Sequence, residues 1–355
     1  MGWQGNQLSR SFCLSNLSRC IRYLLAALYV LLQTATSQNS SQIRPLSRFE
    51  FAQPQMGTLF RIVCYAEDAN IAKATTNAAF SRIAELNDIM SDYSPTSELT
   101  RLNERAGGPP QEVSPDLFYV LCKGQQMSEL TNGAFDVTVG PVVRLWRRAR
   151  RRHELPSPER LAQALGRVGF KKLWLDEATH SVQLSESGMA LDLGGIAKGY
   201  AADEALKVLV QSGMPRSLVA AGGDITVGSP PPDSGGWKVA ISPLNKADKP
   251  MRHLLLKEAA VSTSGDAEQY VEVQGKRYSH IVDPRTGIGL VGHRSVTVVS
   301  PNGITSDSLA TALSVMGSTR GLELADSLKD TAALFVEATQ DGVQILCSKR
   351  WKDDH

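Results

Sequence analysis

The stretch Leu191-Asp-Leu-Gly-Gly-Ile-Ala-Lys-Gly-Tyr-Ala-Ala-Asp203 changes character in its middle. Apolar residues lead to Asp192, two glycines turn the chain, and small and apolar residues at helical spacing follow. The pattern reads as a strand over 189–193, a tight turn at Gly194 and Gly195, and a helix from 196 to about 211. Such a turn aims free backbone N–H groups beyond the strand, where they can hold a phosphate or another polar ligand edge, and Lys198 adds a point charge. The spacings GxGxxG and GxxxxGK[ST] are both missing, so the segment is neither a dinucleotide fingerprint nor a P-loop. Taken alone, it also reads as a tight turn and nothing more.

Upstream, residues 57–65 read as a strand, and 70–90 carry small and apolar residues three and four apart, as a helix does. Residues 91–103 are turn-rich, and a second helix runs over 115–130 behind Ser114 as its N-cap. Residues 133–141 are too rich in glycine and β-branched side chains to prolong that helix, and read as a buried loop or short strand. A further helix lies near 158–168. Downstream, strands dominate, at 172–175, 181–184, 218–221, 237–242, 261–264, 270–273, 277–281 and 295–299. A helix from 306 to about 316 and a last hairpin over 332–347 complete the chain. Antiparallel hairpins mixed with crossing helices indicate an α+β fold with mixed, largely antiparallel sheets and no internal repeat.

The 355 residues suffice for a sizeable core. Residues 1–37 stand apart: Arg10, Arg19 and Arg22 precede the apolar run 23–32, and Ala35-Thr-Ser37 follows with small residues. That is the order of a secretory signal peptide. The run has about half the ~20 residues of a spanning helix, so a cleaved signal is expected, with an N-terminal membrane anchor as the alternative. No cysteine follows the run where a lipid would be attached. Residues 38–48 read as a linker, 49–348 as the folded domain and 349–355 as a tail. Without residues 1–37, which hold three arginines and no acidic residue, the formal charge goes from +2 to −1. A near-neutral chain has no general electrostatic reason to bind nucleic acid. The arginine run 147–152, with no aromatic interleaving and no second basic face, reads as a solvated helix end. Of the cysteines at 13, 20, 64, 122 and 347, the first two leave with the signal. The others show no CxxC or histidine pairing, so neither a zinc site nor a disulfide framework is expected, and Cys64 and Cys122 read as core.

Further segments carry candidate chemistry. Ala220-Ala-Gly-Gly-Asp224 again runs a strand into a glycine pair, read as a bulged turn in which Asp224 bonds nearby backbone. Residues 261–266 and 277–287 read as a strand pair gathering Ser264, Asp266, His280 and Asp283 in neighbouring turns. Asp283-Pro-Arg-Thr-Gly287 has ordinary turn composition, while His280 is either an acid, base or phosphate donor or a satisfied structural histidine. Residues 303–317, GITSDSLATALSVMG, read as a helix with an apolar stripe, capped by Thr305 or Ser306. Asp307 in its first turn would complement the helix dipole, which accounts for the aspartate but not for Thr311. Four residues apart, the two share a helical face, where carboxylate and hydroxyl oxygens can hold a hard cation such as Mg²⁺.

In chain order, Met56-Gly-Thr58, Tyr93 within Ser91-Asp-Tyr-Ser-Pro-Thr-Ser-Glu-Leu99, Gly133-Ala-Phe-Asp136, the stretch from Leu191 to Ala201, Gly222-Gly-Asp224, Ser264-Gly-Asp266, His280-Ile-Val-Asp-Pro284 and the stretch from Ser306 to Leu313 resemble the motifs of the ApbE family of FAD:protein FMN transferases. The resemblance implies a bent, T-fold-related α+β architecture with an FAD cleft. It implies an enzyme that, with Mg²⁺, moves the FMN half of FAD onto a Thr or Ser hydroxyl of another protein and releases AMP. By the same resemblance Met56, Tyr93, Ala134, Phe135, Asp136, Asp192, Lys198 and Ile281 would line the FAD site. Gly195 through its carbonyl, with Asp307 and Thr311, would hold the metal. His280 would stand near the reacting phosphates, and His280 or Asp307 would take the acceptor's proton. These residue types suit phosphoryl transfer, which needs charge neutralised on a pyrophosphate and the attacking hydroxyl placed in line. The implied partner is an acceptor protein of an electron-transfer system with a Ser/Thr-Gly-Ala-Ser/Thr type of motif. With the leader, the resemblance implies an exported protein, periplasmic or facing the periplasm at the inner membrane, with any membrane association through the N-terminus. An FAD pyrophosphatase giving FMN and AMP, or a non-catalytic FAD-binding carrier, are the alternative readings.

Overall fold

The computed structural model describes residue 1 and residues 45–241, 244, 252–265 and 269–352. The leader or anchor expected within 1–37, the linker up to residue 44, Asp266 and the end of the tail therefore lie outside the described residues. The chain separates into Met1–Pro45 and Leu46–His355, and the second unit carries every element below. Among the described residues, no helix is long and apolar enough to cross a membrane.

The first half of this unit runs β1 (Ser47–Gln55), β2 (Thr58–Ala66), α1 (Ala69–Met90), α2 (Glu98–Glu104), β3 (Gln111–Glu112), α3 (Pro115–Leu130), α4 (Gly140–Arg152), α5 (Pro158–Leu165), β4 (Leu173–Asp176) and β5 (Ser181–Leu184). Then come α6 (Ala197–Gln211), β6 (Ser217–Ala221), β7 (Asp224–Val227), β8 (Trp237–Ile241), β9 (Arg252–Leu256), β10 (Ala259–Gly265), β11 (Tyr270–Val273), β12 (Lys276–Val282), β13 (Gly289–Val291) and β14 (Arg294–Ser300). Helices α7 (Gly303–Met316) and α8 (Ser318–Ser327) precede the hairpin β15 (Ala332–Thr339) and β16 (Gly342–Cys347).

Eight strands form one antiparallel sheet in the order β1-β2-β6-β7-β10-β14-β15-β16. Alternation along β2 shows how both faces of this sheet are buried. Phe60, Ile62 and Cys64 enter the main core with Ile83 of α1, Ala201 of α6 and Leu309 of α7. Val63, between them, joins a second core with Trp237, Val239 and Leu254 of the β8–β9 ribbon. Helices thus cover one face and a two-stranded ribbon the other, the α+β arrangement expected from the sequence.

Several elements differ from the sequence reading. The apolar run 189–193 makes only an isolated bridge, Ala190 with Val139, because its backbone groups go elsewhere. The Asn103 side chain brackets Leu191 from both sides, accepting from its N–H at 2.7 Å and donating to its carbonyl at 3.2 Å. The Asp192 N–H donates to the Val137 carbonyl at 2.8 Å. Within the turn-rich stretch 91–103 lies α2, started by the Ser97 hydroxyl accepting from the Thr100 N–H. The expected strand pair of 261–266 with 277–287 does not form. Strand β10 pairs with β7 and β14, and β12 pairs with β11 and β13.

Candidate active site

Helix α7 starts earlier than its sequence suggests. The Asn302 side chain caps it, accepting from the Thr305 N–H at 3.0 Å, so Gly303 begins the helix and Asp307 falls in the second turn. The expected capping role of Thr305 or Ser306 and the first-turn role of Asp307 are thereby corrected. Nor is there a single apolar stripe, since α7 is buried on nearly all sides between α6, β10 and β14. Asp307 itself is 3% exposed.

What brings Asp307 to the Gly194-Gly195 turn is a crossing of two glycines. A Cβ on Gly199 would sit 2.1 Å from the Gly303 carbonyl oxygen, and one on Gly303 would sit 2.5 Å from that of Gly199. Helices α6 and α7 therefore meet backbone to backbone, and the Gly199 N–H donates to Asp307 Oδ2 at 3.1 Å. Lys198 is carried along. Its Nζ donates to Asp224 Oδ2 at 2.6 Å and lies 3.7 Å from Asp307 Oδ2. Asp224 thus serves a side chain on another element instead of the local backbone expected of it. Burial, then the nearby Asp224 carboxylate, push the Asp307 carboxyl up to about 7, with Lys198 and the Gly199 N–H pulling the other way. Burial would lower the Lys198 ammonium, but Asp224 and then Asp307 reverse this and hold it above its ordinary value. When Asp307 is ionised, two carboxylates sharing one ammonium leave a net negative charge at the site.

One turn on, Thr311 faces Gly195 so closely that a Cβ there would stand 2.9 Å from Thr311 Oγ1 and 3.4 Å from a ring carbon of Phe135. The Ser264 hydroxyl is 3.3 Å from Thr311 Oγ1. Among the described residues, both hydrogen bonds and ion-pair contacts of Asp307 use Oδ2, and Oδ1 accepts none. No group of three or more His, Cys, Asp or Glu side chains suited to a metal is found among the described residues. A cation here would instead meet one carboxylate and one hydroxyl, with the Gly195 backbone beside them. Those are hard oxygen donors, which fit Mg²⁺ by type.

A second group adjoins this one through Asp192. Its Oδ1 accepts from the Gly194 N–H at 2.9 Å, and its Oδ2 from Arg147 at 2.8 Å. Burial, then Asp92, raise the Asp192 carboxyl above its usual range, against the pull of Arg147. Arg147 also pairs with Asp92, and its guanidinium carbon lies 4.5 Å from the centre of the Tyr93 ring. The arginine run is therefore only in part a solvated helix end. Arg148, Arg151 and Arg152 are exposed, whereas Arg147 reaches inward and Arg150 donates to Gln269 Oε1 at 2.9 Å.

The remaining expected site residues sit on the β1–β2 turn, in the loop before α4 and on β12. Ala134 and Ile281 share a small apolar cluster with Val315 of α7. Asp136 is buried, and burial raises its carboxyl. Its Oδ1 accepts from the Thr138 N–H and hydroxyl, its Oδ2 from the Phe170 N–H, so this side chain organises its own loop. Met56 occupies the β1–β2 turn at φ 47°, and the neighbouring Thr58 hydroxyl is 3.0 Å from where a Cβ on Gly222 would be. His280 is half-buried on β12, with Nδ1 3.1 Å from the Gln269 carbonyl. A carbonyl only accepts, so this bond puts the proton on Nδ1 and makes Nε2 the basic nitrogen of the neutral ring. Asp283, expected to be structural, accepts from the Arg285 backbone and guanidinium within its turn.

A cavity of about 860 Å³ lies elsewhere, lined by Tyr119, Asp203, Lys207, Thr226, Glu258 and Asn302 among others. It holds none of the expected site residues, and its half-buried carboxylate, Asp203, is engaged by the start of α7. The Asp307 and Asp192 groups thus lie outside this cavity.

Helices on one face of an antiparallel sheet, with a carboxylate, lysine and hydroxyl group gathered at the α6–α7 crossing, define an α+β protein with a candidate active site between two helices. The flavinyl transferase ApbE of Pseudomonas stutzeri, solved in its apo form, superposes with a TM-score of 0.77 at 28% identity, over 87% of this chain and 96% of that one. The flavin transferase ApbE of Vibrio cholerae gives 0.76 at 30% identity, over 86% and 98%. In sequence, the FAD:protein FMN transferase of Haemophilus influenzae is 32% identical over 92% of this chain and 96% of its own length. The model of the ApbE family matches residues 56–335, and the chain belongs to that family.

Proposed function

We propose that this chain is an FAD:protein FMN transferase that uses Mg²⁺ to move FMN from FAD to a Thr or Ser hydroxyl of an acceptor protein, releasing AMP. The observation that carries the reading is the meeting of Asp307, Thr311 and Gly195 at the α6–α7 crossing, where one Asp307 oxygen accepts no hydrogen bond among the described residues. Relatives bearing that activity in their names match most of the chain.

In the reaction, the acceptor hydroxyl oxygen forms a bond to the FMN phosphorus, the bond from that phosphorus to the bridging oxygen breaks, and the electron pair leaves with AMP. A magnesium ion at Gly195, Asp307 and Thr311 would neutralise charge on the pyrophosphate. Lys198 holds Asp224 and Asp307 in place and offsets part of their charge. Nε2 of His280, basic when Nδ1 donates to Gln269, is suited to receive the hydroxyl proton. Tyr93, 77% exposed, offers an aromatic face to a planar ring of FAD. The N-terminal leader supports export to the periplasm, and the acceptor is a protein of an electron-transfer system with a Ser/Thr-Gly-Ala-Ser/Thr type of motif.

Product analysis separates this from its alternatives. The chain without residues 1–37 is incubated with FAD and Mg²⁺, with and without a peptide bearing that motif. AMP together with peptide-bound flavin, only when peptide is present, is expected. Free FMN with AMP in the absence of peptide would make the chain a pyrophosphatase, and unchanged FAD a carrier.

A further inference from the structure

We propose that Arg147 is a positioning residue for flavin binding: fixed between Asp92 and Asp192, its guanidinium backs one face of the Tyr93 ring and holds the other ready to stack on an aromatic ring of FAD. The inference rests on the flavin transferase reading above.

Three elements meet at this side chain. Asp92 and Tyr93 belong to the loop between α1 and α2, Arg147 to α4, and Asp192 to the segment before α6. The Arg147 side chain is 20% exposed, and those of Asp92 and Asp192 are 18% and 11% exposed, so the ion pairs are partly shielded from water. A guanidinium suits the position because it is planar, bridges two carboxylates with separate N–H groups and stacks on an aromatic ring at the same time. A lysine ammonium could pair with a carboxylate but would leave the ring unbacked.

The loop gives Tyr93 little other support. Its N–H donates to the Ser91 hydroxyl at 3.2 Å, which fixes the backbone but not the ring. With Arg147 beneath it, the exposed ring has one covered and one open face, as a stacking platform requires. The same guanidinium ties this platform to Asp192, three residues from Gly195, and so sets its distance from the site that would face the pyrophosphate. The device would select for a ligand with a planar ring at one end and phosphates at the other.

The test is FAD binding, followed by flavin fluorescence with Mg²⁺ present, for wild type, Arg147→Lys and Arg147→Ala, each also in a Tyr93→Leu background. Thermal unfolding without FAD and the split between KM and kcat are measured beside it. Arg147→Lys is expected to weaken FAD binding about tenfold, as loss of a partly buried cation–π contact does. KM for FAD should rise by more than kcat falls, with the melting temperature near that of wild type. In the Tyr93→Leu background the same change should have an effect under about threefold, because the two residues act as a unit. Unchanged affinity, an equal effect with Tyr93 absent, or a loss of affinity matched by a loss of thermal stability would each overturn the proposal. Wild-type protein that binds no FAD would instead overturn the flavin transferase reading on which it rests.

Discussion

Asp203 shows how one half-buried carboxylate can hold the start of a neighbouring helix. From α6 it accepts from the Gly303 N–H at 2.7 Å, the Ile304 N–H at 2.9 Å and the Thr226 hydroxyl at 3.0 Å. The first two donors lack partners within α7, so Asp203 caps in trans the helix that carries Asp307. Burial pushes its carboxyl up to about 6, from 3.8, with those N–H groups pulling it back. In that interval the folded chain holds a proton that the unfolded chain has lost, so the contribution of this group to stability is full below pH 4 and is lost as pH rises through 6. The shift corresponds to roughly 3 kcal/mol. Unfolding temperatures of wild type and Asp203→Asn, measured from pH 4 to 7, should show the wild type losing ground to the variant across that range. Parallel curves would contradict this. At this scale part of the candidate site was legible: Asp307 and Thr311 stand out as a carboxylate and a hydroxyl one helical turn apart, and Lys198 as a charge just past a glycine turn, whereas the place of Gly195 beside them came from the family resemblance. Arg147 was not, because a run of arginines reads as a solvated surface. The signal lay in the helix period: Val142, Trp146 and Ala149 form the buried stripe, and Arg147 and Arg150 flank it, while Arg144, Arg148 and Arg151 face water.

Among the elements, the crossing of α6 and α7 matters most, because the glycine contact fixes where Asp307 and Lys198 meet. Gly199→Ala would drive a methyl group into the Gly303 carbonyl and toward Asp307 Cβ, which a Cβ would approach to 2.8 Å. Backbone cannot yield as a side-chain tip can, so this variant should lose about 3 kcal/mol or more in denaturant unfolding. Asn302→Ala, which removes only a cap, should lose about 1 kcal/mol. Equal stability of Gly199→Ala and wild type would show that the helices are not in backbone contact. Most elements could be read from periodicity, α1, α3 and α6 within a residue or so of their observed ends. The start of α7 could not, since Asn302, Thr305 and Ser306 are all good caps and a helix beginning on glycine is disfavoured by propensity. Packing against Gly199 and the trans cap from Asp203 decide in favour of Asn302. The missing strand at 189–193 has a similar cause, because an apolar run reads alike whether its backbone pairs with a strand or with an asparagine.

In the molecule as a whole, the antiparallel sheet lies between helices and the β8–β9 ribbon, and its strand order is what the sequence could not supply. The hairpin β15–β16 is local and was readable, whereas β7, read as a bulged turn after β6, was not. The pairing of β2 with β6, across more than a hundred residues, depends on Phe60, Ile62 and Val219 finding a common core, and no local pattern records that. For the same reason β10 was matched to the wrong partner. What the long-range pairing achieves is to set β10, with Ser264, beside α7, so that residues from 195 to 311 converge on one site.

The central claim is that this convergence transfers FMN with the help of a divalent cation held at Asp307. It is tested most directly by the intact mass of an acceptor peptide after incubation with FAD, Mg²⁺ and either wild type or Asp307→Asn. A gain of one FMN less one water is expected with wild type, lost on chelation of the metal and lost in the variant. An unmodified peptide with wild type, or equal modification by the variant, would contradict it.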